Sequence, residues 1–252
     1  MIINPLYTRN GVGYLTEEKE KFESDYIRAR EKENRILIDK EVSILPKTFA
    51  ENPNKKEWEL RGKSTKRFLK YLGNKNRGLS ILDIGCGNGW FTNQLSSVFK
   101  ENKVIGLDVN SEELEQAVRL FGKGKISYLY GDIFKLKSFE EQFDIITLNA
   151  SVQYFLDFQK LFSILKLYLK SKGEIHIIDS PFYKKEELSK AKFRTEKYYK
   201  NLGFPQMTLN YFHHEITKVK DFEILYMPNR SIFHRILKRN DSPFPWLRFV
   251  KK

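Results

Sequence analysis

Leu79-Ser80-Ile81-Leu82-Asp83-Ile84-Gly85-Cys86-Gly87-Asn88-Gly89-Trp90 is the stretch from which the rest of the chain can be read. Residues 80–84 form a short apolar run that carries Asp83, and glycine then takes every second position. Phe91, Leu95, Val98 and Phe99 follow at roughly helical spacing. The order is strand, glycine turn, helix. Glycine reaches positive φ and lets a ligand approach where a Cβ would stand in the way. The free N–H groups of the following helix point back at the turn. That geometry accepts a nucleotide-like ligand at the end of a strand.

The spacing narrows the ligand. Dinucleotide sites use G-x-G-x-x-G, with a pyrophosphate on the helix N-terminus. Here the pattern is D-x-G-x-G-x-G, and the carboxylate of Asp83 suits an ammonium group better than a pyrophosphate. Downstream, residues 103–108 read as a second strand ending in Asp108, followed by Val109 and a helix start at Ser111, a candidate N-cap. Residues 126–130 read as a third strand, followed by Gly131-Asp132-Ile133. Residues 143–149 read as a fourth strand ending in Asn149.

These four motifs, in this order over residues 79–149, resemble class I S-adenosylmethionine (SAM) methyltransferases of the small-molecule branch. The resemblance implies a doubly wound, mostly parallel, seven-stranded α/β sheet of Rossmann-like type. It implies SAM as cofactor and S-adenosylhomocysteine as product. It assigns the cofactor to Asp83, Gly85, Cys86, Gly87, Asn88, Gly89, Asp108, Val109, Gly131, Asp132, Ile133 and Asn149. Within that set, Asp108 would hold the ribose hydroxyls and Asp132 would lie near the adenine amino group. Residues 78–252 are then the SAM-binding domain, and residues 1–77 an N-terminal helical extension that forms a lid.

The outer segments are read from their patterning. Residues 1–16 read as loop, and residues 17–39 as a charged surface helix. Residues 55–72 read as a second helix with an apolar side. Trp58 and Arg61 share a face of it. They face the cofactor or the substrate there, or else Trp58 packs in the core and Arg61 pairs with an acid. Residues 157–169 are an amphipathic helix stopped at Lys172-Gly173, residues 174–179 a fifth strand, and residues 186–202 a basic helix closed by Gly203. Residues 222–227 and 243–250 supply further strands, and residues 231–238 a short helix.

Candidates for a general base, needed only if the acceptor must lose a proton, are His213, His214, Tyr154 and Asp179. The two histidines are the catalytic candidates, on the near-neutral pKa of the side chain, and Tyr154 faces the substrate. The adjacent histidines fit a metal site poorly, since zinc histidines on a helix lie four apart, and no metal is expected. No N-P-P-Y or D-P-P-Y follows the fourth strand, and no glutamate pair, so the family's nucleobase-amino and arginine chemistries are not indicated. An O, N or C nucleophile of a small molecule remains, or a less typical RNA or protein substrate.

Composition sets the outer bounds. The net charge is +13, made of +6 over residues 1–79, −2 over 80–180 and +9 over 181–252. Basic flanks admit an RNA-binding or RNA-methylating reading, as well as solvated lysine-rich helices. One cysteine excludes a disulfide framework within the chain. No run approaches the roughly 18 apolar residues of a spanning helix, and no leader pattern is seen at Met1. A cytoplasmic location is expected, with the oligomeric state open.

Overall fold

A computed structural model describes residues 4–18, 20–136, 142–228 and 241–252. The helix expected over residues 231–238 lies outside the described residues. In chain order the elements begin with β1 (Tyr7–Arg9), β2 (Val12–Tyr14), α1 (Glu20–Lys32), α2 (Asp39–Val42) and α3 (Lys55–Gly73). The central units follow: β3 (Ser80–Ile84), α4 (Trp90–Ser96), β4 (Lys103–Asp108), α5 (Ser111–Phe121), β5 (Ile126–Tyr130) and β6 (Phe143–Asn149). The chain continues through α6 (Phe158–Tyr168), β7 (Leu169–Ile178), β8 (Phe182–Tyr183), α7 (Leu188–Leu202), β9 (His214–Glu215), β10 (Glu223–Tyr226) and β11 (Trp246–Val250).

Among the described residues the main sheet has nine strands in the order β1-β2-β5-β4-β3-β6-β7-β11-β10. The six strands from β2 to β7 pair in parallel, and the three outer pairings are antiparallel. The class is the expected one, but the strand number is nine rather than seven. The difference lies at the N-terminus, where residues expected as loop form the β1-β2 hairpin. Asn10 and Gly11 both take positive φ, 49° and 81°, which is the geometry of a two-residue hairpin turn. Tyr14 then sits fully buried between the stacked rings of Tyr7 and Tyr130, with centroids 4.5 and 5.0 Å away.

Parallel strands covered on both faces read as continuous apolar runs, and that is why β3, β4, β5 and β6 fall where their sequence indicates. Alternation splits their side chains between two layers. Ile81, Val104 and Ile145 pack with Phe68, Leu72, Phe91 and Leu95 of α3 and α4. Leu82, Ile146, Leu148 and Ile175 pack with Leu161, Phe162 and Leu165 of α6.

Three boundaries differ from expectation. Asn110, not Ser111, caps α5, its side chain accepting from the Glu113 N–H at 3.1 Å. Lys172-Gly173 does not stop α6; that helix ends at Tyr168 and β7 begins at once. Phe143 faces Leu169 while Ile145 faces Glu174, so residues 170–173 bulge out of the pairing, with Lys172 at φ 61°. The first helix is shorter than residues 17–39 and is not wholly a surface element, because Ile27 and Ala29 are buried. His214 lies in β9, paired with Phe182 of β8, and a short 3-10 helix, Ile216–Val219, follows at once.

The chain winds from β3 through β4 to β5 on one side, then crosses to β6 and β7 on the other. Connections leave β3 and β6 in opposite directions, and ligands of such sheets bind at the carboxyl ends of the strands at that point.

Candidate functional site

The crevice at the strand ends is a cavity of about 360 Å³. The β3–α4 turn forms its floor. Gly85 has φ 71°, and a Cβ there would meet the Ser151 Cβ at 2.5 Å. Ser151 donates to the Ile84 carbonyl at 2.8 Å, so the turns after β3 and β6 are fastened to each other. Gly89 (φ 74°) is the N-cap of α4, and a Cβ on it would meet the Tyr128 Oη at 2.6 Å.

Asp83 is buried beneath this turn. Its two carboxylate oxygens accept from Thr92 at 2.7 Å and Thr147 at 2.8 Å, and burial pushes its carboxyl up to about 6. Asp108 closes β4. Its Oδ2 accepts the Gly87 N–H at 2.8 Å and its Oδ1 accepts those of Val109 and Asn110 at 2.7 and 3.1 Å. Those backbone donors favour the charged form, but burial outweighs them and holds the carboxyl at about 6. Glu113, one turn into α5, is pushed up to about 7 by burial and by the neighbouring Asp108. Two of these carboxyls thus sit near neutrality on one wall.

Asp132 follows β5. Its N–H donates to Thr16 Oγ1 at 3.1 Å, and its Oδ1 accepts from the Phe134 N–H at 3.1 Å. The hairpin therefore reaches the site through the residues after β2. On the opposite side, Asn149 ends β6, and its buried Oδ1 has no hydrogen-bond donor among the described residues. A buried acceptor without a donor points to a ligand that brings one.

All but one of the expected cofactor residues line this cavity; the exception is Gly89, which shapes the turn from behind. Trp58, Arg61 and Tyr154 line it as well. Trp58 packs edge-on to Trp90 at 5.3 Å, and Arg61 pairs with Glu57 at 2.9 Å. The pair thus makes the packing contact and the ion pair of the second alternative at the cavity wall.

Three residues do not reach the cavity. His213 contacts Thr195 Oγ1 at 2.9 Å and the rings of Tyr183 and Tyr211, and burial lowers its pKa. His214 is buried against Phe158 and donates through Nε2 to the Val152 carbonyl at 3.2 Å. Burial lowers its pKa too. With the Phe212 N–H on the Gln153 carbonyl at 2.7 Å, His214 holds the turn that carries Tyr154. Asp179 Oδ1 accepts from Ser64 and Ser242 at 2.7 Å each, while its buried Oδ2 has no donor among the described residues. Among the described residues no group of three or more His, Cys, Asp or Glu is arranged to hold a metal ion.

The sequence pointed to neither Tyr26, Arg30 and Arg35 nor Glu113. Tyr26 and Arg30 lie four apart, hence on one face of α1, and that face closes the cavity.

A family model described as a methyltransferase domain matches residues 75–241. The chain belongs to the methyltransferase-domain family. Among curated relatives, it is similar to the malonyl-[acyl-carrier protein] O-methyltransferase of Priestia megaterium. That match is 34% identical over 107 residues, 42% of this chain and 38% of that protein. It is also similar to the ribosomal RNA small subunit methyltransferase C of Buchnera aphidicola, 29% identical over 155 residues, 58% of this chain and 46% of that one. The chain spans less than half the length of either relative. Among solved structures, a magnesium protoporphyrin IX methyltransferase from Synechocystis with bound S-adenosylhomocysteine superposes with a TM-score of 0.57. That match has 14% identity and covers 93% of this chain and 98% of that one; at that identity the methyltransferase domains share a fold.

Proposed function

We propose that this protein is a SAM-dependent methyltransferase that methylates an O, N or C nucleophile of a small-molecule acceptor. One observation carries the reading: the glycine turn, Asp108 and the donorless Oδ1 of Asn149 all line one cavity at the switch point of the sheet. The donor set fits SAM. Asp108 keeps acceptor capacity for ribose hydroxyls after its three backbone bonds. Asn149 offers an acceptor to the ammonium group. The Cβ-free turn at Gly85 and Gly87 leaves room for the methionine portion. Gly131, Asp132 and Ile133 lie where the adenine would reach.

When bound, SAM supplies a methyl carbon whose bond to sulfur breaks with the electron pair staying on sulfur as the acceptor's lone pair forms the new bond. The chain must align the acceptor and keep water out. Residues 1–77 supply that cover through α1 and α3, which place Tyr26, Arg30, Trp58 and Arg61 against the cavity, and we assign them the role of a lid. His214 fits a positioning role behind Tyr154 better than contact with the acceptor.

The basic flanks favour RNA as a second acceptor. Against it, Arg9, Arg35, Arg61, Arg67, Lys75, Arg77 and Arg248 are already held in ion pairs. No described helix is long and apolar enough to cross a membrane. The one cysteine, Cys86, is buried and unbridged, which suits a cytoplasmic setting. The test is transfer of labelled methyl from SAM to a panel of metabolites and to total RNA. Label confined to small molecules supports the reading, and label confined to RNA replaces it with the second.

A further inference from the structure

Three arginines face the cavity from the covering helices: Arg30 in α1, Arg35 just beyond it and Arg61 in α3. Two glutamates lie between them. Glu57 takes two N–H groups of Arg35, at 2.9 and 2.6 Å, and the Nε of Arg61 at 3.0 Å. Glu33 takes Arg30 Nη1 at 2.7 Å and Arg35 Nε at 3.3 Å. The result is a row, Arg30–Glu33–Arg35–Glu57–Arg61, with three cations against two anions.

The surplus charge falls at the Arg30 end. Arg61 meets Glu57 through both Nε and Nη2, and Arg35 meets it through both Nη atoms. Arg30 has one bond to a carboxylate, and its other acceptor is the Tyr154 Oη. A guanidinium carries five N–H donors. Two are used, and the other three meet no acceptor among the described residues. No ion pair joins Arg30 to Asp108 or Glu113 on the far wall among those residues. The Arg30 guanidinium lies 4.9 Å from the Tyr26 ring centre and 5.9 Å from that of Tyr154. Tyr154 meets the edges of Tyr26 and Tyr211 at 5.8 and 5.9 Å. Glu33 offsets part of that charge, and a ligand carboxylate on the remaining N–H groups would offset more.

The course of α1 says which ligand. Its first turn sits beside α5, where Glu23 accepts the Ser111 N–H. Arg30 comes seven residues, roughly 10 Å, further along, and Glu33 then accepts the Tyr198 hydroxyl of α7 at 2.6 Å. The helix thus crosses the cavity from the β4 side, where Asp108 stands, to the β6–α7 side.

We propose that Arg30 and Tyr154 form an anion-binding subsite for the methyl acceptor. The acceptor carries a carboxylate that takes the free edge of the guanidinium, with its apolar body against Tyr26 and Phe155 of the cavity wall. That the subsite serves the acceptor rests on the methyltransferase reading; that it binds a carboxylate does not. The planar fork of a guanidinium matches a carboxylate through two parallel hydrogen bonds, and lysine cannot reproduce them.

The test is titration of the protein, with and without saturating S-adenosylhomocysteine, by acetate, benzoate, hexanoate, benzamide and inorganic phosphate. Benzoate and hexanoate are expected to bind about tenfold or more tightly than benzamide. Arg30→Met should remove that preference, and Arg30→Lys and Tyr154→Phe should each weaken it, with S-adenosylhomocysteine affinity within about threefold of wild type. If Arg30→Met fails to fold, the lysine and phenylalanine variants carry the test. The proposal is overturned if no carboxylate binds below about 10 mM, if benzamide equals benzoate, or if phosphate outcompetes both carboxylates. It is also overturned if the Arg30 variants lose S-adenosylhomocysteine rather than benzoate. Arg30-dependent benzoate binding by a protein that ignores S-adenosylhomocysteine would keep the carboxylate site and remove the methyltransferase reading.

Discussion

Asp108 Oδ2 accepts the Gly87 N–H at 2.8 Å, so the acid that ends β4 fastens the glycine turn that ends β3. Its other oxygen takes two backbone N–H groups leading into α5. An acid read from sequence as a free rim ligand therefore also braces the rim. Asp108→Ala should weaken S-adenosylhomocysteine binding roughly tenfold to several hundredfold, since hydrogen bonds to a charged acceptor are worth about 1.5–3 kcal/mol each. It should lower the melting temperature in the same variant. Calorimetry and thermal melts measure both; unchanged affinity would remove Asp108 from the cofactor site.

Gly89 and Gly124 share a left-handed backbone, with φ of 74° and 78°. A Cβ at Gly89 would sit 2.7 Å from the Ala117 Cβ and 2.6 Å from the Tyr128 Oη, whereas one at Gly124 meets nothing within 4 Å. Gly124→Ala should cost about 1–2 kcal/mol, the left-handed penalty alone. Gly89→Ala adds overpacking and should cost about 2–4 kcal/mol. Urea denaturation of the two variants checks the contrast, and equal losses would contradict the packing described around the turn.

The hairpin is tested at Tyr14, which has no exposed surface and whose hydroxyl accepts from Arg9 Nη2 at 2.6 Å. Tyr14→Ala should destabilise the protein by about 3–5 kcal/mol. A near-neutral effect on urea denaturation would mean that residues 7–14 do not belong to the sheet.

Glu113 gives a pH signature. Its carboxyl is pushed from 4.5 up to about 7, first by burial and then by Asp108. The folded protein holds this proton more tightly than the unfolded chain. The resulting stability is therefore fully present below about pH 4.5 and is lost as pH rises through about 7. Glu113→Gln lacks this dependence. Between pH 5 and 8 the wild type should lose on the order of 1–3 kcal/mol relative to the variant. Denaturation of both proteins at the two pH values measures this, and a pH-independent difference would contradict the burial of Glu113.

Much of this arrangement is visible in the sequence, for a physical reason. Parallel strands buried on both faces must be apolar along their length, and here glycines and acids mark their ends. β3, β4, β5 and β6 accordingly match the apolar runs that announce them, and Asp83, Asp108 and Asn149 fall at their carboxyl ends. The hairpin escaped because its strands are three residues long and β1 is exposed throughout. Its signal was the Asn10-Gly11 pair between Tyr7 and Tyr14.

The face of α1 escaped for a different reason. Its cavity-lining residues, Tyr26 and Arg30, are polar, and a polar face looks like a solvated one until the fold turns it inward. Glu113 reads as an ordinary acid in a helix's first turn. Asp179 reads as a rim acid, and only the fold brings Ser64 and Ser242 onto it from distant positions. His213 and His214 carry the right chemistry for a base, but His214 holds the turn behind Tyr154 and His213 packs against Thr195, Tyr183 and Tyr211.

Calorimetric titration of the wild-type protein with SAM and S-adenosylhomocysteine tests the central claim most directly. The account predicts saturable one-to-one binding of both, with a dissociation constant on the order of micromolar, about −8 kcal/mol, and marked weakening in Asp108→Ala. No heat of binding for either ligand at about millimolar concentration, from protein that melts cooperatively, would contradict it.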